Sequence, residues 1–183
     1  MKSYTQLMCV LVFFAFAKTS TAQSPSKTEG AVIPDFGATY EVPNPDFKTD
    51  TTLVFKAVFD IAKAPEDPSK RNPYIETIAR FLNMHANAAV PVENLKVRMA
   101  MHGKASYGLL KNEYYKENFG VDNPNIELLE AIDKAGVEII LCGQTAGSRN
   151  LSKERRLELT DIALSAMTIL IQSQEEGYNL ITF

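Results

Sequence analysis

The sequence predicts a three-layer α/β/α domain on a mostly parallel sheet of about five strands. From residue 51 onward, short β-branched or apolar runs alternate with segments of helical periodicity. Residues 137–141 (VEIIL) form a short apolar run, which is typical of a central strand in a parallel sheet. The 183 residues include 45% hydrophobic and 22% charged residues, which is ordinary for one soluble globular domain.

The first half of this pattern contains two strands and one helix. Residues 53–61 (LVFKAVFDI) are rich in β-branched and aromatic residues and predict the first strand. Asn72 and Pro73 then predict a helix start, with asparagine as N-cap and proline in the first turn. Apolar residues at Ile75, Ile78, Ala79 and Leu82 place one face of this helix against a core. Residues 95–101 (LKVRMAM) alternate and predict the second strand, in which Met99 and Met101 pack rather than bind metal.

The second half repeats the alternation with less regular spacing. A helix is predicted over residues 107–118, with its tyrosines partly exposed, and another opens at Asn123-Pro124 and closes at Lys134 and Gly136. The third strand, 137–141, follows. We then expect a helical turn near Lys153, a strand over 159–163, a helix over 165–176 stopped by Gly177, and a last strand over 178–183. By pattern alone, residues 151–176 are also compatible with one long helix.

The N-terminal 22 residues predict a signal peptide. Residues 7–17 (LMCVLVFFAFA) are apolar but too short to span a bilayer, which takes about 20 residues. Ser20 and Ala22 fit the small positions of a cleavage site, so we expect a mature chain from Gln23, periplasmic or secreted, with no membrane span. A buried N-terminal core helix is the alternative. Cleavage removes Cys9 and leaves Cys142 as the one cysteine, which excludes a disulfide within the mature chain.

Residues 23–50 are Pro-rich and predict an N-terminal arm that precedes a domain over residues 51–183. The first part of the arm is expected to be a flexible tail. We expect the part near Phe36, Tyr40, Val42 and Phe47 to lie against the domain as an extended segment.

Composition and missing motifs exclude several classes of function. The net charge of −3 gives no basic surface for nucleic acid, so no nucleic-acid partner is expected. The chain has no G-x-G-x-x-G, no P-loop and no G-x-S-x-G motif. Two histidines and one mature cysteine without metal-ligand spacing predict no metal site, and no cofactor is predicted. Cys142-x-x-Thr145 lacks a resolving thiol, which excludes thioredoxin-type exchange within one chain.

Candidate site residues follow the second and third strands. Ligands and reactive groups collect at the carboxyl ends of parallel strands, where this chain places a thiol, an imidazole, an amide and a hydroxyl. The candidate catalytic residue is Cys142, and the candidate binding residues are His102, Gly103, Gly143, Gln144, Thr145 and Arg149. Structural alternatives stay open for most of them. Cys142 could be a small buried hydrophobe, His102 a turn residue, Gln144 a partner of turn backbone, and Arg149 a solvated charge. His85 is expected to be structural.

Several segments together resemble the DsrE/DsrF-like family, whose small α/β domains share the YchN-type fold. They are KAVFDI, LNM, VRMAMHG, the long run NPNIELLEAIDKAGVEIILCGQTA followed by Arg149, and ALSAMTILIQSQEEGYNLITF. The resemblance covers residues 51–183. It implies that Cys142 carries sulfur as a persulfide, exchanged with a donor and an acceptor, and that the chain forms a trimer or hexamer. The chain departs from the family in its export signal and in Asn150, where sulfur carriers often have glycine after the arginine.

Two hypotheses about function follow. The first is an exported sulfur carrier in which the Cys142 thiolate takes up and passes on a sulfane sulfur. The alternative is a non-catalytic oligomeric small-ligand-binding module in which Cys142 only packs. Self-association is also expected from residues 163–171 (ALSAMTILI), because a helix that is apolar on several faces must bury them.

Overall fold

The computed structural model describes residues 27–183, so the predicted signal peptide over residues 1–22 and its cleavage after Ala22 lie outside the described residues. The strands are β1 (Lys27–Thr28), β2 (Thr39–Tyr40), β3 (Phe55–Ile61), β4 (Leu95–Met101), β5 (Glu138–Cys142), β6 (Asp161–Ala163) and β7 (Asn179–Ile181). The helices are α1 (Pro73–Asn87), α2 (Asn112–Phe119), α3 (Ile126–Lys134), α4 (Gly143–Ser148) and α5 (Ala166–Glu175). Short 3₁₀ segments cover Val92–Asn94 and Gly103–Leu109.

The central sheet has five strands in the order β6-β5-β4-β3-β7, and all four pairings are parallel. The register places Met99 of β4 between Phe59 of β3 and Ile139 of β5. The order brings the carboxyl ends of β3, β4 and β5 to one edge as neighbours. The predicted α/β class with a parallel sheet of about five strands is therefore confirmed.

Helices α1 and α3 cover one face of this sheet. The side chain of Asn72 accepts a hydrogen bond from the Tyr74 N–H at 3.0 Å, and Pro73 is the first helical residue, so α1 starts where the sequence predicts. Helix α3 starts at Ile126, slightly later than predicted. The core between these helices and the sheet is fully buried and includes Phe59, Ile61, Ile75, Ile78, Leu82, Met99, Met101, Leu128, Leu129 and Ile132.

Helix α5 covers the opposite face and completes the third layer. Ser165 caps it by accepting the Thr168 N–H at 3.1 Å, close to the predicted start. Its Ile169 packs on Val58 and Ala100 of the sheet in a second, smaller apolar cluster. Leu164 and Met167 remain 72% and 71% exposed. The side of the sheet that carries α5 therefore presents apolar side chains to solvent in the single chain.

The helix predicted over residues 107–118 is wrong in its first part. The 3₁₀ segment Gly103–Leu109 precedes a break, and α2 begins only at Asn112. The break arises because the backbone there pairs with a distant segment. The Leu157 N–H donates to the Leu109 carbonyl at 2.9 Å, and the Lys111 N–H donates to the Arg155 carbonyl at 2.9 Å. Residues 153–155 form the predicted turn.

The N-terminal arm is held against α1 over part of its length. Ile33 and Phe36 are buried, whereas Tyr40, Val42 and Phe47 are exposed. The segment around these residues contacts α1: Asn87 Nδ2 donates to the Thr39 hydroxyl at 3.2 Å, and Tyr40, Val42 and Phe47 border a groove together with Met84 of α1. Of the four residues named in the sequence prediction, only Phe36 is buried. Between residues 27 and 183, no helix is long and apolar enough to cross a membrane.

Candidate active site around Cys142

Cys142 is the last residue of β5 and the N-cap residue of α4. Side chains alternate along a strand, so its thiol shares a face with Ile140, which packs in the apolar cluster beneath α5. Cys142 is only 5% exposed. Neighbouring Leu164 is strongly exposed, so the thiol lies just below the surface at the carboxyl edge of the sheet.

The thiol is surrounded by hydrogen-bond donors rather than by apolar atoms alone. Burial by itself raises the pKa of Cys142. The hydroxyl of Thr145 and the backbone N–H groups of Thr145, Ala166 and Gln144 hydrogen-bond to the sulfur and outweigh burial, so the pKa lies below the ordinary thiol value. These N–H groups belong to the first turns of α4 and α5, where amides lack helical partners. These donors therefore stabilise the thiolate, the nucleophilic form of cysteine, relative to a thiol that is buried without them.

The two glycines of the site are required by close backbone approaches. A Cβ on Gly143 would stand 2.6 Å from the Ala163 carbonyl oxygen, so only glycine lets α4 start against the end of β6. Gly103 has a φ of +55°, and a Cβ there would stand 2.8 Å from the Ala62 carbonyl oxygen. Both predicted glycines shape the edge of the sheet.

His102 follows β4 and is fixed by Asp60, a residue that the sequence analysis missed. The His102 Nε2 lies 2.6 Å from Oδ1 of Asp60, and because a carboxylate only accepts, Nε2 carries the hydrogen. The His102 N–H also donates to the Ile61 carbonyl at 3.0 Å, which extends the β3–β4 pairing. The sequence feature that could have identified Asp60 is that it is the one acidic residue in the mainly apolar run FKAVFDI.

His102 and Cys142 occupy adjacent positions on neighbouring strands. The last paired residues of β4 and β5 are Met101 and Leu141, and His102 and Cys142 each follow by one residue. Neighbouring strands lie about 4.8 Å apart, and alternation directs both side chains to the α5 side. The structure thus brings the predicted thiol and imidazole to the same edge of the sheet.

The side chains of Gln144 and Arg149 have partners other than the thiol. Gln144 Nε2 donates to the Leu164 carbonyl at 3.3 Å, which matches the alternative that it satisfies turn backbone. Arg149 donates from Nη1 to the Tyr107 hydroxyl at 3.1 Å, and its guanidinium lies 5.1 Å from the centre of that ring. The donors that lower the pKa of Cys142 are all neutral, and Arg149 is not among them. Arg149 therefore contacts Tyr107 instead of the thiol beside which the sequence placed it.

The remaining sequence predictions concern packing. Met99 and Met101 are fully buried in the core, as predicted. His85 has its Nδ1 2.8 Å from the Phe81 carbonyl and packs against the rings of Phe55 and Phe81 at centroid distances of 4.8 and 4.2 Å, in agreement with a structural role. Among the residues that the structure describes, no three His, Cys, Asp or Glu side chains are grouped to hold a metal ion.

The fold and the site define a class, namely small parallel α/β domains with a hydrogen-bonded thiol at the carboxyl end of an internal strand. The profile of the DsrE/DsrF-like family matches residues 56–183. The chain belongs to the DsrE/DsrF-like family.

Two solved structures share the fold at low sequence identity. The MTH1491 protein of unknown function from Methanobacterium thermoautotrophicum aligns with a TM-score of 0.54 and 17% identity, over 70% of this chain and 99% of that one. The ychN protein from E. coli aligns with a TM-score of 0.52 and 18% identity, over the same 70% and 99%. No curated protein matches the chain. At these identities the likeness supports the fold alone.

Proposed function

We propose that this protein is an exported sulfur carrier that holds sulfane sulfur as a persulfide on Cys142. The observation that carries the proposal is the position of the Cys142 thiol at the end of β5 beside the starts of α4 and α5, whose donors lower the pKa of the thiol despite burial. A cysteine that served only for packing would have a raised pKa in apolar surroundings. Membership of the DsrE/DsrF-like family agrees with sulfur relay in general terms.

The proposed transfer is an exchange between sulfur atoms with no net oxidation. The Cys142 thiolate attacks the outer sulfur of a donor persulfide, R–S–SH. A new S–S bond forms to Sγ, the donor S–S bond breaks, and its electron pair leaves with R–S⁻. The outer sulfur keeps its proton. In release, an acceptor thiolate attacks that outer sulfur, and Cys142 leaves as a thiolate.

The same donors serve both halves of this cycle. Thr145 and the N–H groups of Gln144 and Ala166 stabilise negative charge on Sγ when it attacks and again when it leaves. His102, oriented by Asp60, follows the neighbouring strand on the same face of the sheet as Cys142. We therefore assign His102 a supporting function, so that His102→Asn slows sulfur uptake without abolishing it.

Sulfur loading tests this proposal on a chain with a single mature cysteine. The mature protein is incubated with a small-molecule persulfide, and intact mass is measured with and without reduction. We expect a reducible addition of one sulfur atom in the wild type and none in Cys142→Ser, which nearly conserves volume. A matched Ser148→Ala variant, which changes an exposed hydroxyl of the same helix, should load normally. The proposal would be refuted if the folded wild type gained no sulfur atom.

Export is the second part of the proposal and rests on the order of polar, apolar and small residues in the first 22 positions. We expect the exported protein to begin at Gln23, as intact mass or N-terminal sequencing would show. Ala22→Arg, which places a large charged residue at the cleavage position, should block processing. A stable full-length product in the cytoplasm would contradict export.

Self-association, as a trimer or hexamer, is the third part. The apolar side chains exposed on α5 and in the turn before it are Leu164, Met167 and Ile171, and together they form a surface that we call the α5 patch. Contiguous exposed apolar surface commonly marks an interface. Replacing Leu164 and Met167 with serine should give a monomer by light scattering at micromolar concentration. If the wild type is a monomer under the same conditions, the proposal of self-association is refuted.

The alternative function, a non-catalytic ligand-binding module, is favoured by one observation. Cys142 is only 5% exposed, which restricts access of a protein-sized donor or acceptor. The two functions differ in the reaction of the native thiol with a small alkylating reagent. Rapid modification supports the carrier, and protection up to the unfolding transition supports the module.

A further inference from the structure

A second concave site lies beyond the carboxyl ends of β3 and β4. It is a pocket of about 520 Å³ between the loop after β3, the 3₁₀ segment Gly103–Leu109 and α2. This volume is within the usual range for small-molecule sites, roughly 300–1,000 Å³. Cys142 does not line the pocket, and the thiol takes its hydrogen bonds from α4 and α5. The pocket is therefore separate from the sulfur site.

The wall of the pocket is largely aromatic. Tyr107, Tyr115 and Phe119 line it, and both Tyr107 and Tyr115 pack their rings against Phe119 at centroid distances of 5.3 and 4.7 Å. The Tyr115 hydroxyl is fixed by the Pro68 carbonyl at 2.8 Å. This wall is therefore preorganised to receive a flat apolar group with little loss of side-chain freedom.

Arg149 supplies a half-buried positive charge to the same pocket. Its Nη1 donates to the Tyr107 hydroxyl at 3.1 Å, and within residues 27–183 it forms no ion pair with a carboxylate. A guanidinium has five N–H donors, so most of them remain for a ligand. Lys104 adds an exposed positive charge, and Glu66 is the one acidic residue of the lining.

We propose that this pocket binds a small organic carboxylate with a flat apolar or aromatic body. The body lies against Tyr107, Tyr115 and Phe119, and the carboxylate pairs with Arg149. A carboxylate fits because its two oxygens match two parallel N–H groups on one edge of a guanidinium. Tyr107 holds the guanidinium in place, so the cation is positioned before the ligand arrives. Arg149 and Lys104 together with Glu66 give the lining one net positive charge, which suits a monoanion.

Calorimetric titration of the mature protein with 2-naphthoate tests the proposal, with 2-naphthamide as the neutral ligand of the same shape. We expect saturable binding of the carboxylate and at least tenfold weaker binding of the amide. Arg149→Gln should weaken naphthoate binding at least tenfold, because it removes a charge-assisted pair. Lys153→Gln, which removes the same charge from an exposed position outside the pocket, should leave the affinity unchanged.

Two results would overturn the inference. One is the absence of saturable naphthoate binding to the folded wild type, and the other is equal affinity for the acid and the amide. The comparison of ligands uses the wild type alone, so it decides the matter even where Arg149→Gln folds poorly. Cys142→Ser should bind naphthoate like the wild type, which separates failure at this pocket from failure of the sulfur-carrier proposal.

Discussion

Asn83 is a fully buried amide of α1 that holds the N-terminal arm on the domain. Its Oδ1 accepts the N–H groups of Val32 and Ile33 at 3.2 and 2.8 Å. Its Nδ2 donates to the carbonyls of Ile33, Phe36 and Gly37 at 3.0, 2.8 and 3.2 Å. One side chain thereby satisfies the backbone of a whole turn of the arm, in a place that excludes water.

Asn83→Ala should reduce the free energy of unfolding by about 2–4 kcal/mol. Each buried backbone group left without a partner is unfavourable by about 1–3 kcal/mol. The total loss in the free energy of unfolding has an upper limit, because the arm can detach from the domain and expose its backbone groups to water. Detachment removes the burial of Ile33 and Phe36, which contributes about 1.5–3 kcal/mol each. The expected loss therefore lies below the simple sum over the broken hydrogen bonds.

Urea unfolding of the mature chain, followed by circular dichroism, measures this loss. Asn87→Ala is the matched control, since Asn87 lies one turn further along α1, is exposed and makes only two bonds, at 3.3 and 3.2 Å, to the arm. We expect a loss of under about 1 kcal/mol in the control. Equal losses in the two variants, or a loss under about 1 kcal/mol for Asn83→Ala, would refute this explanation of how the arm is held.

Two further predictions concern the site. Thr145→Val removes the hydroxyl that donates to the Cys142 sulfur, so the pKa of the thiol rises and alkylation in native buffer requires a higher pH; an unchanged pH–rate profile would contradict this. Gly143→Ala forces a Cβ to within 2.6 Å of the Ala163 carbonyl and should destabilise the protein by about 1–3 kcal/mol in urea unfolding. Gly147→Ala, where the added Cβ meets open space within α4, should be at least as stable as the wild type, by up to about 1 kcal/mol more.

Local signals made most of the fold predictable from sequence. The capping residues Asn72 and Ser165 fix helix starts through hydrogen bonds to residues two or three positions ahead, so they can be recognised without tertiary information. Apolar periodicity likewise identified β4 with its exact ends and α5 to within one residue. The place of Cys142 after an internal strand followed from the same alternation of strands and helices.

Long-range pairing accounts for what the sequence could not predict. The break before α2 depends on the hydrogen bond from the Leu157 N–H to the Leu109 carbonyl, two residues that are far apart in sequence. The attachment of the N-terminal arm depends on hydrogen bonds between Asn83 and residues about fifty positions earlier. At the site, the Ala166 N–H reaches Cys142 only because α5 starts beside β5. Asp60 pairs with His102 across two strands for the same reason.

The dependence of Cys142 alkylation on pH tests the central claim most directly, because a sulfur carrier needs an accessible thiolate near neutral pH. Residues 23–183 contain one cysteine, so the rate of iodoacetamide addition to that chain, followed by intact mass, reports on Cys142 alone. The thiol pKa is lowered by the donors around it, so we predict a rate that reaches half its plateau below about pH 8.5, the free-thiol value. A rate that rises only above that pH, or a thiol that reacts only on unfolding, would contradict the account.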